Sequence, residues 1–271
     1  MVFLLCIFIG IITAFIGALM GLGGGVVLIP SLLFLAQISE AFSWVTPQSV
    51  VGISLIAMVF TALSSTIAYL KSGRVDYKTG LLFLVGSVPG GMIGSWLNQY
   101  IETDNFLLYF GLLIIVVSMV FFLKRDPSQP KTLQGKPSRQ MELNGEVYTY
   151  HVPIWTAFFV SLVVGALSGL FGIGGGSIMV PVMILLFGMP AHIAIATSMF
   201  MIFFVSIIGA GSHITLGHIV WEYAFLFIPG AWIGGKLGAK VNQLLTGKIL
   251  EGILRIVLIV IGIRMIYQGL M

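Results

Sequence analysis

GLGGGVVLIP occupies Gly21–Pro30, and GIGGGSIMVP occupies Gly172–Pro181. Both stretches follow the pattern G-x-G-G-G-x-x-x-x-P, and both interrupt a chain that is otherwise strongly apolar. Glycine permits backbone with positive φ and allows another backbone or a ligand to approach closely. The first N–H groups of a helix have no partner within that helix, and they carry the positive end of its dipole. The repeated motif therefore predicts two helix breaks that each present N–H groups to an anion.

The composition around these motifs is that of a membrane protein. The chain has 271 residues, of which 58% are hydrophobic and 8% are charged, whereas soluble domains carry about 25% charged residues. Runs of roughly 20 apolar residues match the hydrocarbon thickness of a bilayer, and they are too long for the strands of a membrane barrel. The first run lacks a basic start and a cleavage site, so we interpret it as mature structure and not as a signal peptide.

A single long polar segment divides the chain. Residues 124–153 are rich in Pro, Ser, Lys and Gln, which is typical of a linker. Within the linker, MELNGEVYTY has Asn-Gly between alternating residues and predicts either a β-hairpin or unstructured chain. The sequence thus divides into a first membrane repeat (1–123), a linker (124–153) and a second membrane repeat (154–271).

The two repeats share anchors in the same order, which indicates an internal duplication. The members of each pair are separated by 151, 144, 144 and 140 positions, and the pairs are Gly23 with Gly174, Ser54 with Ser198, Gly73 with Gly217, and Pro89 with Pro229. Each repeat contains five apolar segments. They are predicted at 2–20, 26–38, 47–70, 79–97 and 105–123, and at 154–171, 177–189, 190–214, 222–239 and 249–268.

The basic residues predict the orientation, because Lys and Arg accumulate in cytoplasmic loops. Lys71, Arg74 and Lys78 follow the third segment of the first repeat, whereas the basic residues of the second repeat follow its fourth segment. Equivalent loops then face opposite sides, which predicts inverted repeats in the plasma membrane with a cytoplasmic linker and both termini outside. Arg264, near the outer end of the last segment, does not fit this pattern. The predicted fold class is an all-α polytopic membrane protein with two inverted repeats of about five transmembrane or half-membrane segments each and broken helices at the glycine motifs.

The segments after the glycine motifs are short. Val26–Ile38 would form a helix of about 20 Å, less than a full crossing. If the inverted motifs meet near the midplane, two helix N-termini point at one small anion. The alternative is that the glycines only allow close helix packing. The predicted substrate-binding glycines are Gly23, Gly24, Gly25, Gly174, Gly175 and Gly176.

An anion site also needs side-chain donors. The polar residues that we predict to contribute them are Gln48, Ser54, Ser177, His192, Thr197 and Ser198. The alternatives are that the hydroxyls bond their own helices and that His192 caps a helix. Ionisable groups inside a membrane are commonly functional, so Tyr69 and His213, at equivalent positions, are candidates for proton transfer or gating.

The sequence does not indicate a metal site, an enzymatic site or a nucleic-acid-binding surface. The four His residues are dispersed and the single Cys6 has no partner, so we predict no metal site and no cofactor. Ser177 and His192 lack the G-x-S-x-G turn and an orienting acid, so we predict no enzymatic activity. The charges lie at particular loops and do not suggest nucleic acid.

These residues resemble the TauE/SafE family, known also as sulfite exporters or the toluene-sulfonate uptake permease family. The similar stretches of the first repeat are GLGGGVVLIPSL, VGISL, TIAYLKSGRVDY and VPGGMIG, and those of the second are GIGGGSIMVPVM, IATSM, GSHITLGHIVWEY and IPGAWIG. The first repeat departs from the family pattern at Ile53, where Thr often precedes Ser, and at Tyr69, where His is common. The resemblance covers both repeats.

The resemblance implies transport of small sulfur-containing anions such as sulfite, sulfoacetate or other organosulfonates. We therefore expect a secondary transporter with alternating access and a substrate held at the midplane. An anion channel, or a carrier for a different small oxyanion, is the alternative. The expected partners are the anion and the lipid bilayer, and the sequence leaves open a proton or sodium as coupling ion and a homodimer.

Overall fold

The structure is a computed structural model and describes residues 2–101, 103–120, 139–143 and 145–269. Within these residues the chain is helical apart from one two-stranded sheet and short connections, which confirms the predicted all-α class. The elements in chain order are α1 (Val2–Met20), α2 (Gly25–Ile38), α3 (Pro47–Lys71), α4 (Tyr77–Asn98), α5 (Thr103–Val120), β1 (Arg139–Leu143), β2 (Glu146–Tyr150), α6 (Ile154–Phe171), α7 (Gly176–Leu185), α8 (Ala191–Thr215), α9 (Trp221–Leu244) and α10 (Gly247–Gly269). Lys124, Arg125, Lys131 and Lys136 of the linker lie outside the described residues.

Five of these helices, α1, α3, α4, α6 and α8, are long and apolar enough to cross a bilayer. Large apolar side chains also cover outward faces of the molecule, among them Phe3, Val85 and Trp155, which are between 62% and 75% exposed. A water-facing surface would not carry so many exposed aromatic and aliphatic groups, whereas lipid accommodates them. The protein is therefore a multi-pass membrane protein.

The short helices α2 and α7 follow the glycine motifs as predicted, with 14 and 10 residues. Pro30 and Pro181 lie inside these helices and do not end them. The predicted end of α7 at residue 189 is wrong, because the helix ends at Leu185. Gly188 then adopts φ 73°, and the residue preceding Pro190 is sterically restricted from helical backbone.

Glycines spaced four residues apart bring pairs of long helices into close contact. Gly86, Gly90 and Gly94 of α4 lie against the backbone of α6, and a Cβ on any of them would overlap it. Glycines 144 positions later, Gly230, Gly234 and Gly238 of α9, lie against the backbone of α1 in the same way.

These contacts correct the pairing of Pro89 with Pro229. Pro89 precedes Gly90, whose counterpart is Gly234, while Pro229 precedes Gly230. The two prolines are therefore one helical turn out of register. Glycines recurring every four residues make a one-turn shift look like a match in the sequence.

The helices of the two repeats interleave, and reciprocal contacts join them. Asn98 Nδ2 donates to the Leu170 carbonyl at 2.7 Å, and Asn242 Nδ2 donates to the Leu19 carbonyl at 2.7 Å. The asparagines are 144 positions apart and the carbonyls 151, the separations found in the sequence. Such reciprocity agrees with a two-fold relation between the repeats, whose orientation in the membrane stays a prediction.

The strands β1 and β2 form an antiparallel hairpin in which Leu143 pairs with Glu146. Gly145 has φ 83°, as the tight turn requires. The buried side chains of Leu143 and Tyr150 pack in a cluster with Phe83 of α4. The hairpin alternative is thus confirmed for this part of the linker, and the hairpin is docked on the helices.

Candidate functional site

Each glycine motif turns the chain back along the long helix that precedes it. Gly24 and Gly175 are the N-caps of α2 and α7, with φ of 102° and 70°. A Cβ on Gly24 would lie 3.0 Å from the Thr13 carbonyl oxygen in the middle of α1. The approach is looser at the second motif, where the Cβ of Ser168 in α6 lies 3.5 Å from a Cβ built on Gly175. Because both N-caps have positive φ, glycine is the residue that suits them.

Crosswise hydrogen bonds hold the two motifs together. Ser54 Oγ of α3 donates to the Gly172 carbonyl at 3.0 Å, and Ser198 Oγ of α8 donates to the Gly21 carbonyl at 2.9 Å. Both serines are buried. Each therefore bonds the glycine motif of the opposite repeat, and in this conformation its hydroxyl hydrogen is used by that bond.

Two apolar side chains lie between Gly23 of the first motif and Gly174 of the second. Met58 Sδ lies 2.8 Å from a Cβ built on Gly23 and 2.8 Å from one built on Gly174. Ile202, the counterpart of Met58 at a separation of 144, lies 3.1 Å and 3.2 Å from the same two positions. The starts of α2 and α7 therefore share one small region at the centre of the fold.

Neither short helix has room for a side chain at its first residue. A Cβ on Gly25 would overlap the Gly172 carbonyl, and one on Gly176 would overlap the Gly21 carbonyl. The structure thus brings together Gly23, Gly24, Gly25, Gly174, Gly175, Gly176, Ser54 and Ser198 from the predicted site.

Gln48 and His192 lie away from the motifs, at the starts of α3 and α8. Gln48 Nε2 donates to the carbonyls of Asn98 at 3.4 Å and Ile101 at 3.2 Å. His192 Nδ1 lies 3.1 Å from Arg74 Nη1. A guanidinium only donates, so His192 Nδ1 accepts this bond. Both residues connect helix ends in this conformation.

Arg74 is buried among neutral groups. Besides His192 it donates to Asn242 Oδ1 at 3.4 Å and to the Gln243 carbonyl at 3.2 Å. Burial lowers the pKa of Arg74. The loop that carries Arg74 in the first repeat is thus fixed to α8 and α9 of the second.

Thr197 and the adjacent loop form a second connection between the repeats. Thr197 Oγ1 accepts the backbone N–H of Asp76 at 3.0 Å. The Asp76 carboxylate caps α4 by accepting the Thr79 N–H at 3.0 Å, and it also accepts the hydroxyl of Tyr150. Burial raises the pKa of Asp76, but the hydrogen bonds from Thr79 and Tyr150 outweigh it and leave the pKa below its ordinary value.

Tyr69 and His213, which occupy equivalent positions in the two repeats, are fully buried. Tyr69 OH donates to the Ala18 carbonyl at 2.8 Å. His213 Nδ1 lies 3.0 Å from Nδ1 of His218, so one of the two nitrogens carries a hydrogen. His218, although it lies in a loop, is therefore paired with a buried histidine.

Ser177, the remaining predicted residue, is fully buried at the second position of α7, and its Oγ has no hydrogen-bond partner among the described residues. Of the other intramembrane hydroxyls, Thr61, Ser64, Ser65 and Ser212 bond their own helices. Among the described residues, no group of three or more His, Cys, Asp or Glu is placed to hold a metal ion.

A small cavity adjoins the second motif and contains residues that the sequence did not single out. Its volume is about 10 Å³, and its lining includes Ser87 of α4 and Ser168 of α6 beside Gly174–Gly176. Both serines are buried. The sequence does contain a difference that points to Ser168, because the first repeat has Gly17 at the equivalent position.

Comparison with known proteins agrees with this architecture. The family model described as "Sulfite exporter TauE/SafE" matches residues 6–265. The probable membrane transporter protein YunE of Bacillus subtilis (strain 168) is 46% identical over 272 residues, covering 100% of this chain and 99% of the relative. A probable membrane transporter protein of Xylella fastidiosa (strain Temecula1) is 27% identical, covering 96% of this chain and 93% of the relative. The probable membrane transporter protein YfcA of Escherichia coli (strain K12) is 23% identical, covering 97% and 88%.

No solved structure matches the chain. The family model covers both glycine motifs and all ten helices at least in part. The chain therefore belongs to the sulfite exporter TauE/SafE family, and it is a membrane transporter.

Proposed function

We propose that the protein is a secondary transporter that carries small sulfur-containing anions, such as sulfite or organosulfonates, by alternating access. The observation that carries this proposal is the meeting of the two glycine motifs, where Met58 and Ile202 contact both Gly23 and Gly174. Free N–H groups at a helix start attract an anion through hydrogen bonds and the helix dipole. Two such starts in one region offer donors from both repeats to one substrate.

The chemistry of the site suits weak, reversible binding. The cavity lining contains serines, glycines and apolar residues but no ionised side chain. Binding through partial charges is weak enough to allow release, which transport requires. The family description names sulfite, an anion whose oxygens accept such hydrogen bonds.

Polar contacts at the starts of α3 and α8 are the ones that alternating access would have to break in turn. Arg74 and His192 join the repeats at one end of α8, while Gln48 joins α3 to the end of α4. Positions 48 and 192 are counterparts, and in the predicted inverted arrangement the starts of α3 and α8 face opposite sides of the membrane. Opening one end while the other stays closed would expose the motifs to one side of the membrane at a time.

The test is flux into proteoliposomes across a panel of sulfite, thiosulfate, sulfoacetate, taurine, sulfate and phosphate. We expect saturable uptake of sulfur-containing anions that depends on a proton or sodium gradient. Flux that does not saturate would identify an anion channel, and preference for phosphate would identify a carrier of another oxyanion. Alanine at Gly24, Gly25, Gly175 and Gly176 should abolish uptake, and intact uptake in a folded variant would contradict the site.

A further inference from the structure

The two glycine motifs differ in what faces them from the preceding long helix. At the first motif, Gly17 of α1 packs so closely that a Cβ there would overlap the Gly24 nitrogen. At the second motif the equivalent residue is Ser168 of α6, whose Oγ lies 3.6 Å from a Cβ built on Gly175. A hydroxyl therefore lies beside the second motif where the first has only backbone.

The backbone donors of the two motifs are also used differently. The Gly17 carbonyl accepts the N–H of Leu22 at 2.8 Å and that of Gly23 at 3.3 Å. Gly174, the counterpart of Gly23, donates its N–H to no backbone carbonyl within the part of the chain that the structure describes. The second motif thus keeps a donor that the first uses internally.

Ser168 is fully buried, and its Oγ has no hydrogen-bond partner among the described residues. A buried hydroxyl without a partner is unfavourable. Ser161 lies about two turns earlier on α6. It shows how a buried serine is ordinarily satisfied, because its Oγ donates to the Phe158 carbonyl of its own helix at 3.0 Å. Ser168 therefore retains a donor that the folded chain alone does not satisfy.

Ser168 lines the cavity of about 10 Å³ together with Ser87 and Gly174–Gly176. A cavity of this size has room for one group as large as a water molecule. Hydroxyl and N–H donors surround it, and within the described lining no carboxylate opposes an anion. One oxygen atom of an anion would fit the cavity and could accept hydrogen bonds from the hydroxyl and N–H donors in its lining.

We propose that Ser168 and Ser87, with the N–H groups of Gly174–Gly176, bind one oxygen of an –SO₃ group. The substrate site is then asymmetric and lies at the second motif. This inference rests on the proposed function, because it assigns the residues that hold that substrate. The rest of the group needs a wider cavity, and the flexible side chains of Met179 and Met201 in its lining can move to provide it.

The test compares Ser168→Ala with Ser161→Ala, using sulfite as the probe. In Ser168→Ala we expect an unchanged or higher melting temperature without sulfite, because an unsatisfied hydroxyl is removed. We also expect the KM for sulfite to rise about tenfold, since hydrogen bonds to charged groups are the stronger ones. Ser161→Ala should leave the KM unchanged. Ser87→Ala provides a second variant and should raise the KM in the same direction.

The outcomes separate this inference from the proposed function. If the unmodified protein neither binds nor transports sulfite, the proposed function fails. If it does, but both Ser168→Ala and Ser87→Ala keep its KM, the asymmetric site is wrong and the proposed function stands. A lower melting temperature of Ser168→Ala without sulfite would show a structural role and overturn the inference. Equal binding of sulfate and phosphate with the same dependence on Ser168 would overturn the –SO₃ assignment.

Discussion

Gly176 shows how a single residue limits both the packing and the substrate site. It is the first residue of α7, and a Cβ there would overlap the Gly21 carbonyl of the opposite motif. Alanine in place of a helical glycine ordinarily stabilises a helix by up to about 1 kcal/mol. At this position the overlap should reverse the sign.

We expect Gly176→Ala to lower the free energy of unfolding by about 1–3 kcal/mol, the usual cost of overpacking, and to abolish anion uptake. Gly211→Ala is the matched control, because Gly211 lies within α8 and a Cβ there meets nothing within 4 Å. Thermal unfolding in detergent and uptake by proteoliposomes measure the two effects. A Gly176→Ala protein as stable and active as the Gly211→Ala protein would contradict the packing at the motif.

Asn98 and Asn242 allow the reciprocity of the repeats to be tested at residue scale. Asn98 donates to the partly buried Leu170 carbonyl and Asn242 to the buried Leu19 carbonyl, each at 2.7 Å, but Asn242 Oδ1 also accepts from Arg74. Asn98→Ala should cost about 1–3 kcal/mol of unfolding free energy, because it leaves a carbonyl unsatisfied. Asn242→Ala should cost more, since it also removes an acceptor of a buried cation. Equal losses on thermal unfolding would show that the Arg74 contact contributes nothing.

At the scale of elements, the hairpin of β1 and β2 packs against the helices through a small number of identifiable contacts. Tyr150 is buried and its hydroxyl donates to Asp76, which caps α4. Burial, followed by this hydrogen bond, raises the pKa of Tyr150. The hairpin thereby contacts the same loop whose backbone N–H is bound by Thr197 of α8. Its docking should therefore depend on the charge of one carboxylate.

We expect Tyr150→Phe to weaken docking by about 1 kcal/mol, the loss of one hydrogen bond. Hydrogen exchange of residues 139–150 should then be roughly fivefold faster, as that free energy implies. Tyr148→Phe is the control, because the bond that the Tyr148 hydroxyl makes among the described residues is to Glu146 within the hairpin, at 2.6 Å. Equal exchange in the two variants would exclude a contribution of the Asp76 contact.

The same contact predicts a pH dependence of docking. The pKa of Asp76 is lower in the docked state than its ordinary value of about 3.9. The contribution of the carboxylate is therefore fully present above that ordinary value and is lost as the pH falls through the lowered pKa. The protection factor of the hairpin, which is the intrinsic exchange rate at each pH divided by the observed rate, should fall on acidification below about pH 4 in the unmodified protein. A loss of protection centred near neutral pH would point to a different group.

The elements also show what the sequence could and could not predict. Apolar runs predicted most of the helices closely because a bilayer sets their length and composition. The exception besides α7 is α9, which continues past its predicted end at residue 239 to Leu244. The end of α7 was missed because the apolar run continues past Leu185, although the helix ends there. The backbone then changes direction at Gly188, ahead of Pro190. Ser168 was missed because comparison of the repeats favours shared residues, whereas the proposed site depends on a difference between them.

At the scale of the whole molecule, charge and contacts point to the same arrangement. The loop at Arg74 contacts the first turns of α8 through Arg74 and His192 and through Asp76 and Thr197. The hairpin joins the same loop through the bond from Tyr150 to Asp76. These segments must share one side of the membrane, and the basic residues predict that it is the cytoplasmic side. Arg264, which the charge pattern left unexplained, lies 4.5 Å over the ring of Phe34 in α2. A cation stacked on an aromatic ring at a helix end is tolerated there.

Cysteine labelling tests this topology, because Cys6 is the only native cysteine and is buried in α1. In a Cys6→Ser background, Glu146→Cys in the hairpin and Glu40→Cys after α2 place single thiols at exposed positions. A membrane-impermeant maleimide should label Glu40→Cys but not Glu146→Cys in intact cells, and the reverse in inverted vesicles. Labelling of both variants from the same side would contradict the inverted arrangement, because that arrangement needs an odd number of membrane crossings between α2 and the linker. The opposite pattern would keep the inversion but reverse the orientation, and the basic loops would then face outward.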